Sequence, residues 1–227
     1  MMPWFLASSL LLSIVGLYVA FFVAPTDFQQ GESYRIIFIH VPAAWMSMFI
    51  YLVMAGWAGA GLVFNTRLSG MMARALAPTG AMFTFLALWT GALWGKPTWG
   101  TWWVWDARLT SELILLFLYI GFLSLTAAIE DERRADRAGA VLALVGVVNI
   151  PIIYFSVVWW NTLHQGQSIG LTSSKIDATI LWPLWFTLSG FTCFFAAIVL
   201  MRMRTILART KAEARMRRMA HVVEVGA

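Results

Sequence analysis

Residues Ile36 to Phe64 read IIFIHVPAAWMSMFIYLVMAGWAGAGLVF, a run without a single Asp, Glu, Lys or Arg. A hydrocarbon layer about 30 Å thick takes about 20 apolar residues of helix to cross. Backbone polar groups inside that layer are satisfied only within helices or closed barrels, and a long uninterrupted apolar run favours the helix. Working outward, five more such runs occupy Trp4 to Val23, Ala75 to Leu93, Ser111 to Ile129, Gly139 to Trp160 and Ile180 to Met201. The expected fold is therefore an all-α integral membrane protein of six transmembrane helices over residues 1–201. A Trp-rich segment at 94–108 lies between helices 3 and 4, and a basic tail spans 202–227.

Composition agrees. Hydrophobic residues make up 60% of the chain, charged residues only 12%, and mean hydropathy is +0.76; soluble domains carry about twice that share of charge. The first run has no basic flank before it and offers Phe22 where a cleavage site needs a small residue, so it reads as a retained helix. Basic residues then set the orientation. Twelve lie on one side: Arg67 and Arg74, the group Arg133, Arg134 and Arg137, and seven tail residues between Arg202 and Arg218. The other side holds four, Arg35, Lys96, Arg108 and Lys175. Both termini are thus expected in the cytoplasm, with the Trp-rich segment at the outer, periplasmic face of a bacterial inner membrane. Cys193 has no partner for a disulfide, and no CxxCH holds haem covalently. Gly91-Ala-Leu-Trp-Gly95-Lys96-Pro97 lacks the spacing and the Ser or Thr of a phosphate-binding loop, so any ATP-driven step belongs to a partner and the chain reads as a non-enzyme.

The segment WGKPTWGTWWVWDAR places Trp94, Trp99, Trp102, Trp103 and Trp105 within a few residues of one another, ahead of Asp106 and Arg108. One or two indoles make an interfacial belt; five suggest a platform for a large planar ligand. The i, i+3, i+4 spacing of Trp99, Trp102 and Trp103 suits one face of a short surface helix starting near Pro97. His40, in the second run, and His164, just past the fifth, are expected at the same depth. A lone interfacial His is ordinarily a hydrogen-bonded polar residue. Two of them beside an aromatic shelf can instead hold a metal from opposite sides. With no third His, Cys or acidic ligand nearby, a porphyrin best supplies the remaining ligands. Haem, b-type and non-covalent, would stack on indoles and direct its two propionates to Arg108, Lys96 or Arg35. Snorkelling competes with a propionate role for Arg108. Asp106 is expected to cap the fourth helix, Glu112 to be a polar partner inside the bundle, and His221 to have no role.

These residues resemble the WWD-motif haem-handling proteins, defined by a Trp-rich segment between two periplasm-facing histidines; the matching string is WGTWWVWDARLTSEL, with His40 before it and His164 after. Within that group, the six-helix count, short chain and basic tail are similar to the cytochrome c maturation C (CcmC, haem exporter protein C) family. The resemblance covers the whole chain. It implies axial ligation by His40 and His164, with Trp94, Trp99, Trp102, Trp103, Trp105 and Asp106 as the shelf. It also implies delivery of haem to the periplasmic chaperone CcmE, alongside the ABC transporter subunits CcmA and CcmB and the small membrane protein CcmD, in c-type cytochrome biogenesis. Asp27, Gln30 and Arg35, near His40 in the first outer loop, are then candidates for docking the chaperone. Two other readings stay open: a membrane b-type cytochrome moving electrons through bis-histidine haem, and a structural subunit whose Trp cluster is only an anchor.

Overall fold

The computed structural model describes residues 1–164, 166 and 176–225, with backbone alone at 217 and 220–225. Lys175 and the side chains of Arg217 and His221 lie outside the described residues. The elements are α1 (Met2–Tyr18), continued by a π-helical turn at Val19–Val23, a 3-10 turn at Glu32–Ile36, α2 (Ile37–Phe64), α3 (Arg67–Trp99), α4 (Ala107–Ala128), α5 (Glu132–Gly146), α6 (Asn149–Trp159) and α7 (Ala178–Val225). They make six helical spans long and apolar enough to cross a membrane, one for each of the six apolar runs, and no strand forms among the described residues. The chain is a multi-pass helical bundle.

Several helices extend past the apolar runs, α3 reaching from Arg67 to Trp99 and α5 starting at Glu132, and two spans differ in kind. The fifth run is two helices, α5 and α6, hinged at Val147 and Val148. Pro151 is the cause: it lacks the N–H that would reach the Val147 carbonyl, and its ring crowds the preceding turn. The hinge is held by tighter i to i+3 bonds, from Val147 N to Leu144 O at 3.3 Å and from Ile150 N to Val147 O at 3.0 Å. In the sixth, α7 does not stop where the apolar residues end. It continues as helix through the basic residues to Val225.

Helix α2 is central and packs on α3, α5 and α7, while α1 lies mainly against α7 and α4 joins α3 to α5 and α6. In lipid the apolar faces gain little by meeting each other, so close packing and internal hydrogen bonds carry the association. A Cβ on Gly16 would meet the Thr187 nitrogen at 2.9 Å, and one on Gly190 would meet the Ser13 nitrogen at 2.9 Å; α1 and α7 touch backbone to backbone. Tyr51 and Tyr119 are fully buried edge to face, with ring centroids 5.1 Å apart. The Tyr119 hydroxyl donates to the Ser47 carbonyl at 2.8 Å, and Asn149 Nδ2 donates to the Ser111 carbonyl at 2.9 Å. These bonds tie α2 to α4 and α4 to α6.

Candidate functional site

Helix α3 runs without a break through Trp94 and Pro97 to Trp99, so the expected short surface helix over Trp99, Trp102 and Trp103 does not form. Gly100 ends it in the left-handed conformation, φ 79°, with its N–H on the Lys96 carbonyl at 3.0 Å; a residue without Cβ takes that conformation at no steric cost. Beyond it, 101–106 is non-helical until Asp106 caps α4, accepting the Leu109 N–H at 2.8 Å on Oδ1. The five indoles therefore do not share one face. Trp94 and Trp99 belong to the last turns of α3 and Trp103 folds back from the connection, and these three line a cavity. Trp102 is 53% exposed and Trp105 75%, and neither lines it.

The cavity has two lobes that share one set of lining residues and open to the surface. Both are lined by His40, Ala44, Trp94, Arg108 and His164. The two imidazoles both line it, with ring centroids 6.2 Å apart and planes inclined at 37°. Two nitrogen–metal bonds of about 2.0 Å, plus about 1.1 Å from each nitrogen to its ring centroid, sum to about 6.2 Å. The pair is spaced to hold one metal ion between them. Among the described residues no group of three or more His, Cys, Asp or Glu could hold a metal, so its other ligands must come with it.

The supports of the pair are specific. His40 Nδ1 lies 3.0 Å from the Ala87 carbonyl and 3.2 Å from Thr90 Oγ1. A carbonyl only accepts, so Nδ1 carries the proton and Nε2 keeps the lone pair, which is the arrangement a metal-binding imidazole needs. Gly91 forms the wall behind the ring: a Cβ there would stand 3.0 Å from His40 Cε1. Trp94 meets His40 edge-on at 5.7 Å, and Trp99 lies 6.0 Å from the His164 ring. Three buried polar atoms in this region, Thr98 Oγ1, Trp103 Nε1 and Asp106 Oδ2, have no hydrogen-bond partner among the described residues. Thr98 and Trp103 line the cavity, and orphans in a cavity wall fit a site completed by a polar-edged guest.

Of the candidate cations, Arg108 alone lines the cavity, where its Nη1 also donates to the Ile153 carbonyl at 2.7 Å. Lys96 turns to the Gly100 carbonyl at 3.0 Å, and Arg35 pairs with Glu32 and the Ala20 carbonyl. Glu112, a turn below Arg108, is buried at the floor and accepts the Ser47 hydroxyl at 2.8 Å. The three residues considered for docking are engaged within the chain. Asp27 Oδ1 accepts the Gln29 and Gln30 N–H groups at 2.9 and 2.7 Å, and Gln30 Oε1 accepts Trp94 Nε1–H at 2.7 Å. Phe28, 99% exposed, is the side chain that projects from this loop.

A family model described as heme exporter protein C matches residues 1–218. The chain belongs to the heme exporter protein C family. It is 52% identical over 205 residues to the heme exporter protein C of Escherichia coli K12, covering 90% of this chain and 83% of that one. The member from Bradyrhizobium diazoefficiens is 47% identical over 231 residues, covering 100% and 88%. A putative cytochrome c biosynthesis ccmC-like mitochondrial protein of Marchantia polymorpha is 44% identical over 204 residues, covering 90% and 84%. The match to this family therefore includes every helix of the bundle up to the last basic residues of α7.

Several lining residues escaped the sequence reading. Ala87 and Gly91 are one helical turn apart on α3, and Ala44 is one turn beyond His40 on α2; small residues at such spacing are the available signal that two helices leave room beside a His. Trp45 and Tyr154, on the walls of the second lobe, carry no local signal because their helices are apolar on every side.

Proposed function

We propose that this chain binds haem between His40 and His164 and passes it to an acceptor in the maturation of c-type cytochromes. The observation that carries the reading is the 6.2 Å separation of the two imidazoles across a cavity walled by Trp94, Trp99 and Trp103. Haem is the cargo: it brings the four in-plane ligands, and the chain supplies two axial nitrogens and apolar walls. The Ala87 carbonyl holds His40 in the ligating tautomer, and Arg108 is the group for a propionate. No covalent bond to this chain is needed, so release requires only exchange of two nitrogen ligands and separation of stacked faces.

By the distribution of basic residues, both termini lie in the cytoplasm and the cavity opens toward the periplasm. The acceptor is the chaperone CcmE, and the chain works beside the transporter subunits CcmA and CcmB and the small protein CcmD. The first outer loop, with Asp27, Gln30 and Arg35, is the docking surface, since the bond from Trp94 to Gln30 joins it to the cavity wall.

The deciding experiment is the absorption spectrum of the purified protein with haem. The parent should show a six-coordinate low-spin form. His40→Ala and His164→Ala should each lose it and regain it in part with added imidazole. Unchanged spectra in both variants would end the assignment. Transfer is read separately, by mixing loaded protein with the chaperone and following loss of the bis-histidine band.

A further inference from the structure

At the opposite end of the bundle a second cavity, of about 500 Å³, lies where α2 ends, α3 begins and α5 begins. Arg67, Arg133 and Arg137 line it, and none of them forms an ion pair among the described residues. Helix α3 starts at its rim with Thr66 at the cap position and no side-chain bond to its first N–H groups, leaving the positive end of a long helix open there. Asp136 is the acidic residue in the wall. Arg74 stands 3.4 Å from it, so its charge is balanced within the chain and the three arginines set the net sign of the cavity. The oxygen that faces Arg74 Nε is Oδ1, which is buried. Beside this basic opening, Leu62, Val63, Phe64 and Leu68 are exposed, at 39%, 75%, 71% and 51%.

A compact anion would satisfy the arginines and the open helix end, yet the apolar residues alongside call for chains of hydrocarbon in the same ligand. We propose that this cavity binds the headgroup of a net-negative phospholipid, of the phosphatidylglycerol class. The phosphate lies among Arg67, Arg133 and Arg137, and the acyl chains run along Leu62, Val63, Phe64 and Leu68. Basic pockets between membrane helices are recognised lipid sites on general grounds, and here three arginines without ion pairs among the described residues favour a net-negative headgroup over a zwitterionic one. The site is independent of the haem reading.

Native mass spectrometry of the full-length protein in detergent tests it, with phosphatidylglycerol, phosphatidylethanolamine or phosphatidylcholine added singly and inorganic phosphate as competitor. One phosphatidylglycerol should be retained by the parent in preference to the other two lipids. The triple variant R67Q/R133Q/R137Q should lose it by about a hundredfold, and R202Q/R204Q/R209Q, with the same charge removed from α7, should stay within about twofold. Gel filtration and thermal unfolding check that the variants are folded. If the first triple variant does not fold, Arg137→Gln alone should weaken retention about fivefold, and no change would overturn the proposal. Equal losses in the two triple variants, or equal retention of phosphatidylethanolamine or phosphatidylcholine, would reduce the cavity to general positive charge and also overturn it. Displacement of the lipid by millimolar phosphate would assign the site to the free ion instead.

Discussion

Gly91→Ala is the sharpest probe of how the fold sets His40, the proposed haem ligand. The added Cβ would stand 3.0 Å from His40 Cε1 and 3.4 Å from Nδ1, whereas carbon atoms in contact sit about 3.5 to 4.0 Å apart. The ring must retreat by about 0.5 to 1 Å, in the direction away from α3. Its bond from Nδ1 to the Ala87 carbonyl, now 3.0 Å, would stretch to the edge of hydrogen-bonding range. Losing that bond costs about 1 kcal/mol, and misaligning the opposed nitrogens adds to it, so haem affinity should fall about five- to tenfold. Gly56 is the matched control, because a Cβ there meets nothing within 4 Å; Gly56→Ala should leave affinity unchanged. The assay is haem titration of purified protein, read at the main absorption band. Parent affinity and spectrum in Gly91→Ala would refute the view that this wall positions His40.

The indoles divide by position: Trp99→Ala or Trp103→Ala should lower haem occupancy by about 1 to 3 kcal/mol while the remaining spectrum stays bis-histidine. Trp102→Ala, at an exposed indole, should bind as the parent does; equal losses at all three would contradict the division. Gln30→Ala removes the acceptor of Trp94 Nε1–H, and should weaken haem retention by about 1 kcal/mol without changing the ligand set. Retention equal to the parent's would detach the loop from the cavity. Truncation after Leu207 should leave haem titration unaltered, because the removed part of α7 lies beyond the bundle's apolar core; loss of haem in a correctly inserted truncation would tie that helix to the site.

The apolar runs determined the six spans, because a helix in lipid is specified locally: every backbone group is satisfied within the segment, and hydropathy over about 20 residues suffices. The Asp106 cap was legible for the same reason, being a bond between residues three apart. Local pattern failed where two signals competed. Pro151 split the fifth span inside an unbroken apolar run, and α3 carried on through Pro97 as far as Trp99, overriding the indole spacing that suggested a separate helix. Residue types named His40, His164 and the indoles as candidates, but only packing decided which of them meet. Trp103 turns in while Trp102 and Trp105 turn out, Arg108 reaches the cavity while Lys96 and Arg35 bond elsewhere, and Gln30 is spent on Trp94. The separation of the two imidazoles belongs wholly to tertiary structure. It depends on how α2 rests against α3 at Ala87 and Gly91, and on where the chain beyond α6 brings His164, distances that no property of either histidine's neighbours in sequence encodes.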